Sequence, residues 1–325
     1  MKKKIDDLSE KLIDCHTHCS GMDFYNTVNG LNPTNQNVVN LEKTIKENEI
    51  DFAITFPFPN TLFYDITSYL NGFNFRPSNL CKLPFEIENR NLVEQIEHFG
   101  TERILPFMGF SLNANVSEQV ENLKALNKHH EIYGLKYHTF CDQHTALDIL
   151  KHPKLIQFLE DNNLPLLIHS GKDDMTSAVN IYKLAKSIPH LRICAAHIGR
   201  FNKPFFEMLS NHPLPNLYVD LCPFLGLYAD FLKNKDIHKA TFKINKDDPL
   251  NVLRYLYEVL PDNLIWGTDM PYNYTAKLAT TTPKDVTTYQ DEVTLLKGLA
   301  QPLRRRIASQ NTISFILGER QCNCR

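Results

Sequence analysis

Long apolar runs are missing from this chain of 325 residues. No stretch reaches the roughly 18 to 20 apolar residues that a membrane-crossing helix needs, so no transmembrane helix is expected. Met1-Lys2-Lys3-Lys4 resembles the basic start of a signal peptide. The following Ile5-Asp6-Asp7-Leu8-Ser9-Glu10-Lys11 is polar where an apolar segment belongs. Export is therefore not expected, and a cytoplasmic location is. An excess of charge is also absent, because 35 Lys and Arg face 37 Asp and Glu, for a net charge of -2. That balance argues against nucleic acid or anionic membrane as a partner. Arg304-Arg305-Arg306 reads as a solvated helix face. A glycine-rich phosphate loop is lacking after the first strand-like run, which weakens a nucleotide-binding doubly wound sheet. Eight cysteines in a chain without an export signal read as reduced thiols. Cys322 and Cys324 read as incidental to the tail.

What is present is an ordinary globular composition, 42% hydrophobic and 22% charged. The length allows two average domains or one barrel of about 250 residues or more. Eight short runs rich in β-branched or aromatic residues are found: Leu12–Cys19, Phe52–Phe58, Ile104–Phe110, Tyr133–Phe140, Pro165–His169, Arg192–His197, Leu217–Cys222 and Leu264–Thr268. Helical patterns, with apolar residues three and four apart, lie between most of them. Strands alternating with helices imply a parallel sheet, and eight such units imply a (β/α)8 TIM barrel. Two C-terminal helices, roughly Gln290–Leu299 and Pro302–Leu317, close the structure. No linker or repeat divides the chain, so residues 1–325 read as one domain. Three long connections stand out, Asn60–Asn91, Leu225–Asp248 and Asn273–Thr288. Phe24, Tyr25, Tyr64, Phe73 and Phe75 in the loops hint at an aromatic-lined pocket.

The chemistry is expected where the runs end, because a barrel keeps its active site at the C-terminal ends of its strands. The first run carries Asp14-Cys15-His16-Thr17-His18. Alternation along a strand points His16 and His18 the same way and turns Asp14 and Cys15 to the opposite face. The fourth run carries Lys136 and His138, again two apart. The fifth ends in His169, the sixth in His197 and the eighth in Asp269. Histidine and aspartate are costly in apolar strands unless something offsets their desolvation. A bound divalent cation does so, and four strands bringing such residues to one level are hard to explain otherwise. The remaining histidines fall in helices, helix ends or a polar loop.

The motifs Ile13-Asp-Cys-His-Thr-His18, Gly134-Leu-Lys-Tyr-His138, Ile168-His-Ser-Gly171, Ala196-His-Ile-Gly-Arg200 and Gly267-Thr-Asp-Met-Pro271 occur in this order. With the tail Ile307–Gly318, the chain resembles the amidohydrolase superfamily of metal-dependent TIM-barrel enzymes over residues 12 to 318. More narrowly, it resembles the amidohydrolase-related (amidohydrolase 2) branch, which includes hydrolases, lactonases and non-oxidative decarboxylases. The resemblance implies that His16, His18 and His169 ligate a metal, with Asp269 on or near it handling the proton of the attacking water. It implies that His197 contacts substrate or acts as an acid, and that in binuclear relatives this position ligates a second metal. Lys136 matches the position of a carboxylated lysine in some relatives. Its Lys-Tyr-His setting is closer to the mononuclear branch, where Lys136 and His138 face substrate.

Three histidines and a carboxylate with an open position suit catalytic Zn²⁺. The same set accepts Mn²⁺, Fe²⁺ or Co²⁺. The expected activity is hydrolysis of a C–O or C–N bond in a small molecule (a lactone, ester or amide). Metal-activated water would attack, with Asp269 as general base. Arg200 and Lys136 are candidates to grip a substrate carboxylate. Decarboxylation of a small carboxylic acid on the same site is the alternative, and an inactive barrel scaffold a third. The chain allows a homo-oligomer and does not name its substrate.

Overall fold

The computed structural model describes residues 8–19, 36–58, 63–65, 76–79, 81–233, 248–272 and 287–318. Phe24, Tyr25, Phe73, Phe75, Cys322 and Cys324 lie outside them. Eight strands follow one another in chain order in a single parallel sheet: β1 (Ile13–His18), β2 (Phe52–Phe56), β3 (Ile104–Phe110), β4 (Gly134–Tyr137), β5 (Leu166–Ile168), β6 (Ile193–Ala195), β7 (Leu217–Asp220) and β8 (Leu264–Ile265). Each lies inside the run that predicts it. The helices α1 (Val38–Glu47), α2 (Glu86–Phe99), α3 (Val116–His129), α4 (Pro153–Asp161), α5 (Ala178–Ser187) and α6 (Lys203–Asn211) follow the first six strands in turn. The connection after β7 holds α7 (Phe224–Lys233) and α8 (Pro249–Val259).

Helix α7 corrects the expectation of an open connection from Leu225. It starts directly after Pro223, contains Gly226, and is apolar on more than one face. Phe224, Leu227, Tyr228 and Phe231 nevertheless form a buried stripe at helical spacing, so the signal for this helix was present in the sequence. Two C-terminal helices follow β8, as expected. One is α9 (Tyr289–Lys297). The other is a continuous stretch in which α10 (Gln301–Arg305) passes through a π turn, Arg306–Gln310, into α11 (Asn311–Leu317). In the arginine run, Arg305 pairs with Glu10 and Arg306 with Asp262, on the protein's surface.

Alternation along the strands divides the core into two layers. Ile54, Phe56, Leu105, Phe107 and Leu167 point into the lumen and form one buried cluster. Their neighbours, such as Ala53, Ile104, Leu166 and Ile168, face the helices in a larger cluster. The floor is filled from α11, where Phe315 sits 6.2 Å from the Phe107 ring and 5.2 Å from the Tyr218 ring.

The strand β1 does not alternate cleanly. Asp14 is opposite Ala53 but Thr17 is opposite Thr55, so one extra residue bulges into β1 between them. Cys15 therefore packs in the lumen cluster with Ile13 and Phe56, on the same side as His16. This corrects the expected opposite face, while Cys15 remains a packing residue. Asp14 does turn away. It accepts from Thr268 Oγ1 at 2.7 Å, Thr268 N at 3.0 Å and His16 N at 3.1 Å, and burial raises its pKa to about 7. The ring closes where Cys15 N donates to Trp266 O at 3.0 Å, Asp269 N to His16 O at 2.8 Å and His18 N to Met270 O at 2.7 Å. Gly267 makes this approach possible, since a Cβ there would meet His16 Cβ at 2.9 Å and Cys15 Sγ at 3.0 Å. The six cysteines among the described residues are all buried and unpaired.

Glu292 on α9 is fully buried and accepts from Leu225 N, in the first turn of α7, at 2.9 Å. Burial is the main cause that raises its pKa from 4.5 to about 8. A folded-state pKa above the unfolded one means that the native state holds the proton more tightly. The stabilisation is then complete at low pH and declines as pH rises from about 4.5 through about 8. Glu292→Gln is expected to match the parent near pH 5 and to unfold at higher temperature than it near pH 9. Thermal unfolding across that range checks this, and parallel profiles would refute it.

Candidate metal centre

The closure of β1 on β8 brings three donors together at the top of the lumen. His16 Nε2 lies 3.3 Å and His18 Nε2 3.2 Å from Asp269 Oδ1, and one ligand atom from each of the three lies within 4.8 Å of the others. Metal–donor bonds of about 2.0–2.1 Å in a tetrahedron place neighbouring donors about 3.3 Å apart. The donor set thus fits a divalent cation in both spacing and chemistry. Burial opposes a charge on Asp269, but hydrogen bonds from His16 and His18 hold its carboxyl well below the usual range. Burial pushes His18 down to about 4, leaving it neutral. For His16, burial and Lys136 oppose protonation, yet Asp220 and Asp269 outweigh them and raise its pKa.

A cavity of about 490 Å³ opens above these residues. Every site residue named from the sequence lines it except His16, which is wholly buried in its floor. Lys136, 4% exposed, reaches up from β4. Its Nζ is 3.3 Å from His16 Nε2 and 4.7 Å from the centre of the Phe56 ring. Burial lowers its pKa from the ordinary lysine value. His138 Nδ1 accepts from Cys141 N at 3.2 Å and so caps a single helical turn, Thr139–Asp142. Its ring stacks on that of His169 at 4.0 Å.

His197 and His169 are joined by a 2.9 Å bond between His197 Nε2 and His169 Nδ1. The tautomers follow from the partners. His197 Nδ1 must donate to Cys222 O at 2.8 Å, so its Nε2 accepts the proton of His169 Nδ1. His169 Nε2 is then left with a free lone pair. Burial lowers His197 to about 3 and His169 well below the imidazole range, so both rings are neutral. His169 thus lies beside the His16–His18–Asp269 group rather than within its 4.8 Å cluster.

The segment His197–Phe201 is a left-handed turn, with φ of 60°, 54°, 53°, 54° and 53° in order. Left-handed backbone costs an L-residue about 1–2 kcal/mol, and such strain persists where surrounding contacts over-determine it. Here His197 N donates to Asp220 Oδ1 at 2.7 Å and Gly199 N to Ala196 O at 3.2 Å. Four non-glycine residues share this φ, so it is space that selects glycine at 199, where a Cβ would meet Phe205 at 2.7 Å and Ala178 Cβ at 3.0 Å. The turn directs Arg200 into the cavity, where its buried Nε has no hydrogen-bond partner and its guanidinium no ion pair among the described residues.

Sequence reasoning missed Asp220. It ends β7 on the lumen side, fully buried, with Oδ2 2.9 Å from His16 Nδ1. The signal was available, because a carboxylate inside the apolar run Leu217–Cys222 needs something to offset its burial.

A family model described as amidohydrolase matches residues 13–315. The chain belongs to the amidohydrolase family. Members of this family are metal-dependent. No curated protein matches it in sequence. Among solved structures, this amidohydrolase is similar to 2,6-dihydroxybenzoate decarboxylase from Rhizobium, with TM-score 0.60, 12% identity, and coverage of 94% of this chain and 98% of that one. It is similar to 4-oxalomesaconate hydratase from Rhodopseudomonas palustris, with TM-score 0.59, 16% identity and coverage of 94% and 95%. It is also similar to an amidohydrolase from Burkholderia multivorans with bound zinc, with TM-score 0.58, 12% identity and coverage of 95% and 99%. At these identities the likeness is one of fold. No described helix of this amidohydrolase is long and apolar enough to cross a membrane.

His16→Ala is expected to lower metal affinity by at least about 100-fold while the barrel, with its large apolar core, remains folded. Elemental analysis and circular dichroism check this. Unchanged metal content in a folded variant would refute the site.

Proposed function

We propose that this amidohydrolase hydrolyses a C–O or C–N bond (lactone, ester or amide) of a small molecule that carries a carboxylate. The observation that carries the proposal is the placement of Asp269. One of its oxygens meets both His16 and His18, while the other, 4.0 Å from His197 Nδ1, has no closer partner among the described residues. His16, His18 and Asp269 are the proposed ligands of one divalent ion, with the free Nε2 of His169 as a third imidazole donor. Zn²⁺ suits this donor set and Mn²⁺ is the second choice. Such an ion supplies a polarised carbonyl and an acidified water.

The chain's own residues do the rest. Asp269 is held as a carboxylate by its two histidines, so it can take a proton from the attacking water and hand it to the leaving oxygen or nitrogen. His197 is neutral and tied at both nitrogens, so it orients rather than acidifies. In this reading it holds His169 in place through the bond to His169 Nδ1. Arg200, lacking an ion pair among the described residues, and Lys136 supply cationic donors for a substrate carboxylate. His138 presents its Nε2–H to the cavity. Phe58 and Tyr272, with ring centres 5.1 Å apart, give one wall an apolar aromatic surface.

Lys136 also favours the second reading. An amine 3.3 Å from a metal-ligand histidine suits a substrate carboxylate held beside the ion, as decarboxylation requires. Product analysis separates the two, since hydrolysis yields a new carboxylate and decarboxylation yields CO₂.

Asp269→Asn is expected to retain partial metal occupancy and to lose about 10²- to 10⁴-fold in kcat. Turnover equal to the parent's would exclude Asp269 as the base. Arg200→Ala is expected to raise KM for carboxylate substrates by about 10- to 100-fold with a smaller change in kcat. A screen of small lactones, esters and amides, with and without a carboxylate, checks this. An unchanged preference would exclude Arg200 from substrate binding.

A further inference from the structure

The buried carboxylate of Asp220 joins two parts of the site that come from different strands. On one side Oδ2 is 2.9 Å from His16 Nδ1. On the other, Oδ1 accepts from His197 N at 2.7 Å, at the first residue of the left-handed turn. Oδ1 also accepts from Cys222 N at 3.3 Å and Cys222 Sγ at 3.1 Å. Asp220 is 0% exposed, so these bonds are shielded from bulk solvent.

We propose that Asp220 is a positioning residue that couples the metal centre to the substrate-facing turn. The inference rests on the reading of His16, His18 and Asp269 as metal ligands. A carboxylate at Nδ1 fixes the proton there, so His16 must present the Nε2 lone pair to the ion, toward His18 and Asp269. The same carboxylate anchors the amide of His197, and through it the turn that carries Arg200. A displacement of His16 on β1 is therefore transmitted through Asp220 on β7 to the turn after β6 that carries Arg200.

The group His16, Asp220 and Cys222 also has ligand atoms within 4.8 Å of one another, which raises the alternative that Asp220 binds a metal directly. The hydrogen-bond count opposes it. Oδ1 already accepts from three donors, His197 N, Cys222 N and Cys222 Sγ, and Oδ2 is held by His16 Nδ1. Cys222 Sγ serves as one of these donors.

The choice of variant follows from the two bonds. Asparagine offers one oxygen and one NH₂, so it cannot accept from both His16 Nδ1 and His197 N. The full-length protein, freed of metal with a chelator, is titrated with Zn²⁺ and with Co²⁺ as a spectroscopic probe. The expected result is tight binding by the parent, binding weaker by about 10- to 100-fold in Asp220→Asn, and parental affinity in Cys222→Ala. The Co²⁺ spectra should show no thiolate charge-transfer band. If the parent binds no metal, the metal-centre reading itself falls. If the parent binds and a folded Asp220→Asn binds equally well, that reading stands and the positioning role is refuted. A thiolate band, or loss of binding in Cys222→Ala, would make Asp220 and Cys222 direct ligands and overturn the proposal. Should Asp220→Asn not fold, ¹⁵N spectra of histidine-labelled, zinc-loaded parent decide. A proton on His16 Nδ1 with metal on Nε2 supports the role, and metal on Nδ1 refutes it.

Discussion

The whole site depends on how the barrel closes. Strand β1 meets the segment after β8 through backbone hydrogen bonds on both sides of His16, and only because Gly267 has no side chain to keep them apart. Without that contact, His16 and Asp269, more than 250 residues apart in sequence, would not share an ion. Asp14 reinforces the same seam from outside the lumen by accepting two hydrogen bonds from Thr268. The closure of the fold and the assembly of the donor set are thus one event.

The electrostatics follow from this arrangement. Burial drives the imidazoles of His18, His138, His169 and His197 toward neutrality, which is the form that can donate a lone pair to a cation. It also works against charge on Asp220 and Asp269, yet their histidine partners keep both as carboxylates. The negative charge needed to hold a cation is therefore concentrated at the centre. Arg200 stands at the cavity wall with an Nε that has no partner among the described residues.

Much of this was legible in the sequence because parallel barrels write a simple code. Apolar runs mark the strands, and a polar residue that ends such a run marks the chemistry. His16, His18, Lys136, His169 and Asp269 were readable on that basis, and the structure gathers them around one cavity. The bulge in β1 was not readable. Whether a strand bulges depends on what it packs against, here Gly267, and strict alternation sent Cys15 to the wrong face. The left-handed turn from His197 was hidden for a similar reason, since its conformation is held by a carboxylate on the next strand. Helix α7 was legible from Phe224, Leu227, Tyr228 and Phe231, which keep helical spacing, but the Lys and Asp residues after it drew the whole segment into a loop. Asp220 lies inside its apolar run and had no histidine or glycine motif around it to draw notice.

The plug formed by Phe315 against Phe107 and Tyr218 has a kinetic meaning. A barrel whose floor is packed with aromatic rings has its traffic at the other end, over the cavity mouth. Substrate and product then use the same doorway and the same cationic wall. Under the proposed hydrolysis, a carboxylate product would be held by the group that recruited its parent, so clearance of the site and capture of the next molecule would be competing events. Retention of product thus becomes a natural brake on turnover in this architecture.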